Sequence, residues 1–501
     1  MHLRIIGFVA GLFFAVSCSF ADESIKIPAD YAPSESPSGQ QTYANLPINP
    51  AGINVVSGNL GNDGSHFRNE FRNHMNLWMT AKGPGPHSIE WKLQVPEDGD
   101  YEVSALVSGK GARLAWTCNG EKQDSAALNA IMSQGWDRVN LGTLRLKAGE
   151  NSLRLMVENA NGFKFDALEL VQPVVKADLL KEALAMRQKP DWFKNAGYGL
   201  MFQWTNRATP PKGSIKPWEE KVNDFDLEGF VDMVEETGAA YVLWSITWGQ
   251  QYISAPIQSL DAIIAGRTTK RDLLGEMADA LQARGIKLIF YYHYGYDCNH
   301  SIDADWMKAS GGYEADKTEL YQNWMSIVSE IGDRYGEKLH GWWFDGGQRY
   351  YNCHFDNTPG DQGILSAPFK ELTQAAKKGN PERVVAYNSW VKPRLTEYQD
   401  YYAGEGAHVS GSLDEGTFPS GPQQGLLAHG CFIFEKRWGH IEPDTIITKP
   451  KFTLPKLTAM IKNAQKEQFP LSINLEMYED GSVSPDSVAL LKQLKDAVRR
   501  P

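Results

Sequence analysis

Near residue 174 the spacing of apolar residues changes from every second position to every third or fourth, and that change divides the 501 residues into two kinds of fold. Before it, Ile89, Trp91, Leu93 and Val95 alternate with polar residues. Tyr101, Val103, Ala105 and Val107 repeat the alternation after the turn Glu97-Asp98-Gly99-Asp100. Leu144 and Leu146 precede a second turn, Ala148-Gly149-Glu150-Asn151, and Leu153, Leu155 and Val157 follow it. Side chains that share a face at every second residue fit half-buried strands. Residues 49–173 are therefore predicted to form an antiparallel β-sandwich of the jelly-roll type. The preceding residues 22–48, rich in Pro, Ser and Ala and without a period, read as a linker or N-terminal arm. Residues 1–21 join a short basic start (His2, Arg4) to the apolar run Ile5 to Val16 and a small-residue exit, the pattern of a signal peptide. The protein is thus expected to be secreted or periplasmic. Cys18 stands where a lipoprotein cysteine would, but Ala15 replaces the Leu expected three residues earlier, which makes lipidation the minor reading.

From residue 174 to 501 the pattern is alternation of helix and strand. Leu227, Phe230, Val231 and Val234 form one helical stripe closed by Gly238. Leu273, Leu274, Met277, Ala278 and Leu281 form a second, closed by Gly285, and Tyr321, Trp324, Met325, Val328 and Ile331 a third, closed by Gly336. Strands are predicted at 198–204, 240–246, 286–294, 339–344, 383–388, 398–404, 430–435 and 471–475. With no Gly-rich phosphate turn after the first of them, this pattern fits a (β/α)8 TIM-like barrel better than an open doubly wound sheet. No other stretch is apolar enough for a membrane span.

Composition narrows the partners. Lys+Arg 50 against Asp+Glu 61 gives a net charge of −11, the wrong footprint for nucleic acid. Fifteen Trp, 20 Tyr and 21 Phe suit either a large core or the apolar face of a sugar. Cys118, Cys298, Cys353 and Cys431 lack metal-ligand spacing, so no metal is expected. Export permits a disulfide among the last three, with buried thiols the alternative.

In a barrel the reactive groups sit at the C-terminal ends of strands. Those ends read Gln203-Trp204, Thr247-Trp248, Tyr292-His293, Asp345, Asn388-Ser389-Trp390, Glu405, Glu435 and Asn474-Leu475-Glu476. Asp345 closes the run Gly341-Trp342-Trp343-Phe344 and precedes Gly346-Gly347, a carboxylate in an aromatic wall with room for a ligand beside it. Glycoside hydrolysis needs a second carboxyl group as proton donor. Glu405, flanked by Gly404 and Gly406, is the first choice; Glu415 and Glu435 are the alternatives. Lys436 and Arg437 beside Glu435 are expected to hold its carboxyl low, a poor acid.

The stretch 198–490 resembles the retaining α-L-fucosidases of glycoside hydrolase family 29. The resemblance lies in GAAYVLWSI, GRTTKRDLLGEMADALQARGIKLIFYYHYG, YGEKLHGWWFDGG, the late RWGH and FPLSINLEMYEDGSVSPDSVALLKQL. It implies an exported exo-glycosidase in which Asp345 is the nucleophile and Glu405 the acid/base of a double displacement on a terminal α-L-fucosyl or related L-sugar residue of a glycan, with no cofactor. It also implies a sugar pocket drawn from Gln203, Trp204, Trp248, Tyr292, His293, Trp343 and Trp438. The family's His after strand one and His-His pair after strand two correspond here to Gln203 and Trp248-Gly249, which shifts the expected specificity toward another or a substituted sugar, such as an α-L-galactoside. A non-catalytic carbohydrate-binding protein is the competing reading. The N-terminal segment is similar to β-sandwich carbohydrate-binding modules, in which a structural Ca²⁺ is the one ion the analogy allows.

Overall fold

The computed structural model describes residues 45–499 except 71–77, 110, 123–125, 128–134, 294–302, 313, 315–316, 347–365, 391 and 407–412. The signal peptide, most of the 22–48 arm, and Cys18, Cys298 and Cys353 lie outside the described residues. Cys118 and Cys431 are buried free thiols.

The two-residue period builds two sheets around one core. In the first, His87–Val95 pairs antiparallel with Gly149–Glu158, which pairs in turn with Arg113–Cys118. In the second, Gly99–Ser108 lies between Trp136–Leu146 and Lys164–Val171. The alternating residues named above face each other between the sheets; Ile89, Trp91, Leu93, Tyr101, Val103, Leu144, Leu153 and Leu155 are all buried in this core. The arm ends earlier than the sequence predicts. Leu46–Pro47 pairs with Leu93 and Gln94 as a short parallel edge strand, because Leu46 and Ile48 find apolar partners there.

The second half forms a seven-stranded sheet, all parallel. Its strands are β1 (Tyr198–Phe202), β2 (Tyr241–Ser245), β3 (Lys287–His293), β4 (Gly341–Asp345), β5 (Val384–Tyr387), β6 (Gly430–Ile433) and β7 (Leu471–Leu475), in the order β5-β4-β3-β2-β1-β7-β6. The amphipathic stripes are helices Leu227–Thr237, Leu273–Ala283 and Thr318–Tyr335. Asp226 and Asp272 cap the first two by accepting from the N–H of Gly229 and Gly275.

The predicted strand 398–404 is not a regular strand. Asp400 N–H donates to Val385 O on one side (2.7 Å), while Tyr402 N–H reaches Leu427 O (2.9 Å) and Cys431 N–H reaches Gly404 O (2.8 Å) on the other. The segment thus runs between β5 and β6 by isolated bridges. Gly404 explains the irregularity: its φ is +67°, and a Cβ there would lie 1.8 Å from His429 O. Only glycine allows that approach, and the left-handed turn breaks the pleat just before Glu405.

Candidate active site

Strand parity decides which side chains can meet. Met201, Leu243, Tyr291, Trp343, Ala386 and Cys431 pack together inside the curved sheet, with Phe193 from the short helix Asp191–Lys194 inserted among them. Their chain neighbours Phe202, Trp244, Phe290, Tyr292, Trp342 and Phe344 face the helices instead. Continued to the C-terminal ends, the inner parity carries Gln203, Ser245, His293, Asp345 and Asn388.

Gln203, Ser245, Asp345 and Asn388 form one hydrogen-bonded network with Tyr291 and Glu405. Asp345 Oδ2 accepts from the Tyr291 hydroxyl (2.5 Å) and Oδ1 from Asn388 Nδ2 (3.0 Å). The same Asn388 nitrogen donates to Glu405 Oε2 at 2.8 Å. Because one atom makes both contacts, Asp345 Oδ1 and Glu405 Oε2 are separated by at most about 5.8 Å, the span of 3.0 and 2.8 Å end to end. The Trp390 N–H donates to Asn388 Oδ1 (2.9 Å), which fixes the amide with its NH₂ toward the carboxylates. Glu405 is itself held by a backbone bridge to Cys431.

Burial, and next the charge of Asp345, push the Tyr291 phenol well above its ordinary value, so it stays protonated and can only donate to the carboxylate. Trp343 stacks beneath it (ring centroids 5.1 Å, planes 19° apart), anchored by Nε1–H to Ala403 O at 3.0 Å. Gln203 hydrogen-bonds Tyr291 from the other side and accepts from the Ser245 hydroxyl.

Of the predicted sugar-pocket residues, Gln203, Trp343 and His293 lie on the inner side. His293 is the register partner of Asp345, and Thr247 and Gln251 grip its backbone carbonyl at 2.6 and 2.7 Å. Trp248 and Trp438 are half-buried against the inner cluster. Gly439 brings their loops together, since a Cβ there would sit 2.6 Å from Gln203 O and 3.1 Å from the Trp248 ring. Arg207 lies over the Trp248 ring at 5.5 Å.

Two of the predicted residues are elsewhere. Tyr292 has the outer parity; it stacks on Trp324 and donates to Gln251 Oε1 (2.8 Å). Trp204 lies past the strand end, where the chain turns outward into Trp218, Phe225 and Trp244, and its Nε1–H donates to Tyr478 O (3.1 Å). Neither faces the carboxylates. Trp204→Ala is expected to lower the unfolding free energy by about 3–5 kcal/mol, because it opens a cavity in a closed aromatic cluster. Denaturant titration checks this, and weakened sugar binding at unchanged stability would return Trp204 to the pocket.

The alternative acids also separate. Glu415 is on the surface, its side chain 79% exposed, and pairs with Lys194 at 3.2 Å. Glu435 is fully buried, accepting from the Ser487 hydroxyl (2.5 Å) on helix Pro485–Val498 and from Glu476 N–H (3.0 Å). The expectation that Lys436 and Arg437 hold it low is reversed: burial pushes Glu435 up to about 7. Lys436 is exposed and the Arg437 side chain pairs with Glu442, so neither charge reaches it. Glu435 ionises near 4.5 in the unfolded chain and near 7 in the fold. Between those values the fold keeps a proton that the unfolded chain has released, so this group's contribution to stability is lost as pH rises. Glu435→Gln is therefore expected to gain on the wild type by about 3 kcal/mol between about pH 4.5 and pH 7. Denaturant titrations across that range check it; a pH-independent difference would contradict the retained proton.

Sequence reading missed the role of Tyr291 and gave Asn388 none. The signal was parity: once Asp345 faces inward, the residue pairing with Trp343 across the ladder, Tyr291, must do so too.

Among the described residues no group of His, Cys, Asp and Glu has the makings of a metal site, and no helix is long and apolar enough to cross a membrane. No match is found among curated proteins. Among solved structures the chain is similar to the α-L-fucosidase of Lactobacillus casei with α-L-fucose product (17% identity, 62% of this chain and 98% of that one, TM-score 0.44). It is also similar to the α-L-fucosidase of Bacteroides thetaiotaomicron (16% identity, 62% and 73%, TM-score 0.43). Both likenesses are weak. The α-L-fucosidase family model matches residues 193–418, the stretch that holds Gln203, Tyr291, Asp345, Asn388 and Glu405. That stretch, somewhat under half of the chain, is similar to the α-L-fucosidase family of glycoside hydrolases.

Proposed function

We propose that the protein is an exported retaining exo-glycosidase that removes terminal α-L-fucosyl or closely related L-sugar residues from glycans. The observation that carries this reading is the Asn388 amide shared by Asp345 and Glu405, which keeps the two carboxyl groups within about 5.8 Å. Retaining glycosidases hold theirs about 5–5.5 Å apart, and inverting ones at least about 6.5 Å, to leave room for water. The proposed frame is a closed (β/α)8 barrel over 174–501, with the 400–405 segment in the sixth strand position, preceded by a jelly-roll sandwich over 49–173.

In the first step an Asp345 oxygen attacks the anomeric carbon as the glycosidic bond breaks and the leaving oxygen takes the proton of Glu405. In the second, Glu405 removes a proton from water, whose oxygen attacks the same carbon and frees Asp345. Glu405 gives up its proton in the first step and, once Asp345 is an ester, takes one from water in the second. Tyr291 and Asn388 orient Asp345 by taking one lone-pair direction on each oxygen, which leaves the other on each for attack. With Gln203 in place of an imidazole, and Trp248 and Trp438 beside it, the pocket offers stacking faces where the family uses histidines, which supports a substituted or extended sugar such as α-L-galactoside.

The test is hydrolysis of aryl α-L-fucoside, α-L-galactoside and β-D-galactoside by the purified protein, with product configuration followed by NMR. Turnover of an α-L-glycoside with retention is the expected result. Glycan binding without turnover would move the reading to a carbohydrate-binding protein.

A further inference from the structure

The loop after β5 links the candidate active site to the N-terminal sheets. Its residue Trp390, whose N–H fixes the Asn388 amide, has φ +49°, a left-handed conformation that a bulky residue keeps only when its surroundings hold it there. On the barrel side the Tyr402 hydroxyl donates to Trp390 O (2.9 Å). The remaining grip comes from the other unit. Trp78 stacks on the Trp390 ring (6.2 Å, planes 21° apart) and packs against Trp136 at 5.3 Å. Two residues on, Lys392 forms an ion pair with Asp166 at 2.9 Å, the two side chains 2% and 3% exposed. Its ammonium also lies 5.7 and 5.9 Å from the Trp78 and Trp136 rings. Arg138 then donates to Arg394 O at 3.0 Å.

We propose that the N-terminal sheets complete the active centre: through Trp78 and Asp166 they hold Trp390 and Lys392 so that Trp390 aims the Asn388 amide at both catalytic carboxylates. Trp78, Asp166, Trp390 and Lys392 are positioning residues, none touching the reacting atoms. The idea rests on the glycosidase reading for its kinetic consequence but not for its geometry. Asp166→Asn takes the ion-pair partner from the buried Lys392 ammonium, so Lys392 and the backbone beside it are expected to shift. Trp78→Leu removes the stacking face while leaving the ion pair's charges in place.

The experiment uses the full chain carrying Asp166→Asn or Trp78→Leu, each alone and combined with Asn388→Ala, with folding checked by circular dichroism. Each single variant is expected to lose about ten- to a hundredfold in kcat with KM changed less than about threefold, as follows from a misplaced charge-assisted hydrogen bond. Each double variant is expected to match Asn388→Ala alone, because the two changes act through one amide. Losses that multiply would overturn the proposal. A crystal structure of either variant reads it independently of turnover: the amide is expected to leave at least one carboxylate, and an amide still bridging Asp345 and Glu405 would overturn it. A wild type inactive on every glycoside would refute the glycosidase reading alone, and the crystal structure would then decide this one.

Discussion

Asp345→Asn is expected to lower kcat for an aryl α-L-glycoside by at least about a thousandfold while leaving sugar binding nearly intact. The substitution is close to isosteric. Its amide oxygen still accepts from one of the two donors that meet at this position, Tyr291 and Asn388, while its NH₂ faces the other without a partner. What disappears is the negative charge and the lone pair that forms the bond to the anomeric carbon. Stopped assays on the purified variant measure the loss. Asp345→Ala supplies the second half of the test, since it opens a space that a small anion can fill. With azide present, a true nucleophile position gives restored turnover and a glycosyl azide of inverted configuration, because one of the two displacements has been skipped. Wild-type rates in Asp345→Asn would remove Asp345 from the chemistry. A wild type that binds sugar but turns none over would favour the binding-protein reading.

How much of this was legible in the sequence follows from what each pattern encodes. Period two and period three-to-four report burial, so the inward rows of the sandwich and the helical stripes with their Gly stops could be read directly. Leu227–Thr237 ends at Gly238 with φ +74°, as its spacing implies. The parallel strands were equally plain, since a strand buried on both faces is a continuous apolar run. That same continuity hides parity. In Ile289-Phe290-Tyr291-Tyr292-His293 every residue is apolar or aromatic, and nothing local tells Tyr291, which faces Asp345, from Tyr292, which faces Trp324. The register to β4 settles it, and that is a long-range fact. Trp204 misleads for a related reason. A Trp at a strand end suits a sugar platform, but one residue of outward turn carries it into the helix layer. Glu435 fails on the other axis. Its basic neighbours are adjacent in sequence and distant in effect, because consecutive residues point different ways, while burial by the surrounding fold governs it, opposed by hydrogen bonds from Ser487 and the Glu476 N–H, 52 and 41 residues on. The stacking of Trp390 on Trp78 joins positions more than 300 residues apart, and no local pattern predicts it.

Glu405→Gln carries the second large effect, and its form separates an acid/base from a residue that merely orders the loop. For a natural glycan, whose leaving alkoxide must be protonated, kcat/KM is expected to fall by about a hundred- to ten-thousandfold. For an aryl glycoside with an acidic phenol the first step needs little proton transfer, so kcat/KM is expected to change far less. The second step still lacks its base, so kcat drops, the glycosyl-enzyme accumulates and KM falls with it. The glutamine keeps an acceptor for Asn388 Nδ2, at 2.8 Å in the wild type, so the bridge to Asp345 should survive and the loss is of the proton rather than of the geometry. A purely structural residue would depress both substrates alike. Glu415→Gln is the control: its side chain is on the surface against Lys194, so the same kinetics should be untouched. Equal losses on good and poor leaving groups in Glu405→Gln would remove Glu405 as the acid. Glu435, buried against Ser487 with a carboxyl that holds its proton to about 7, would then be the next candidate among the described residues, but it could serve only if the chain rearranged to bring it inside the sheet.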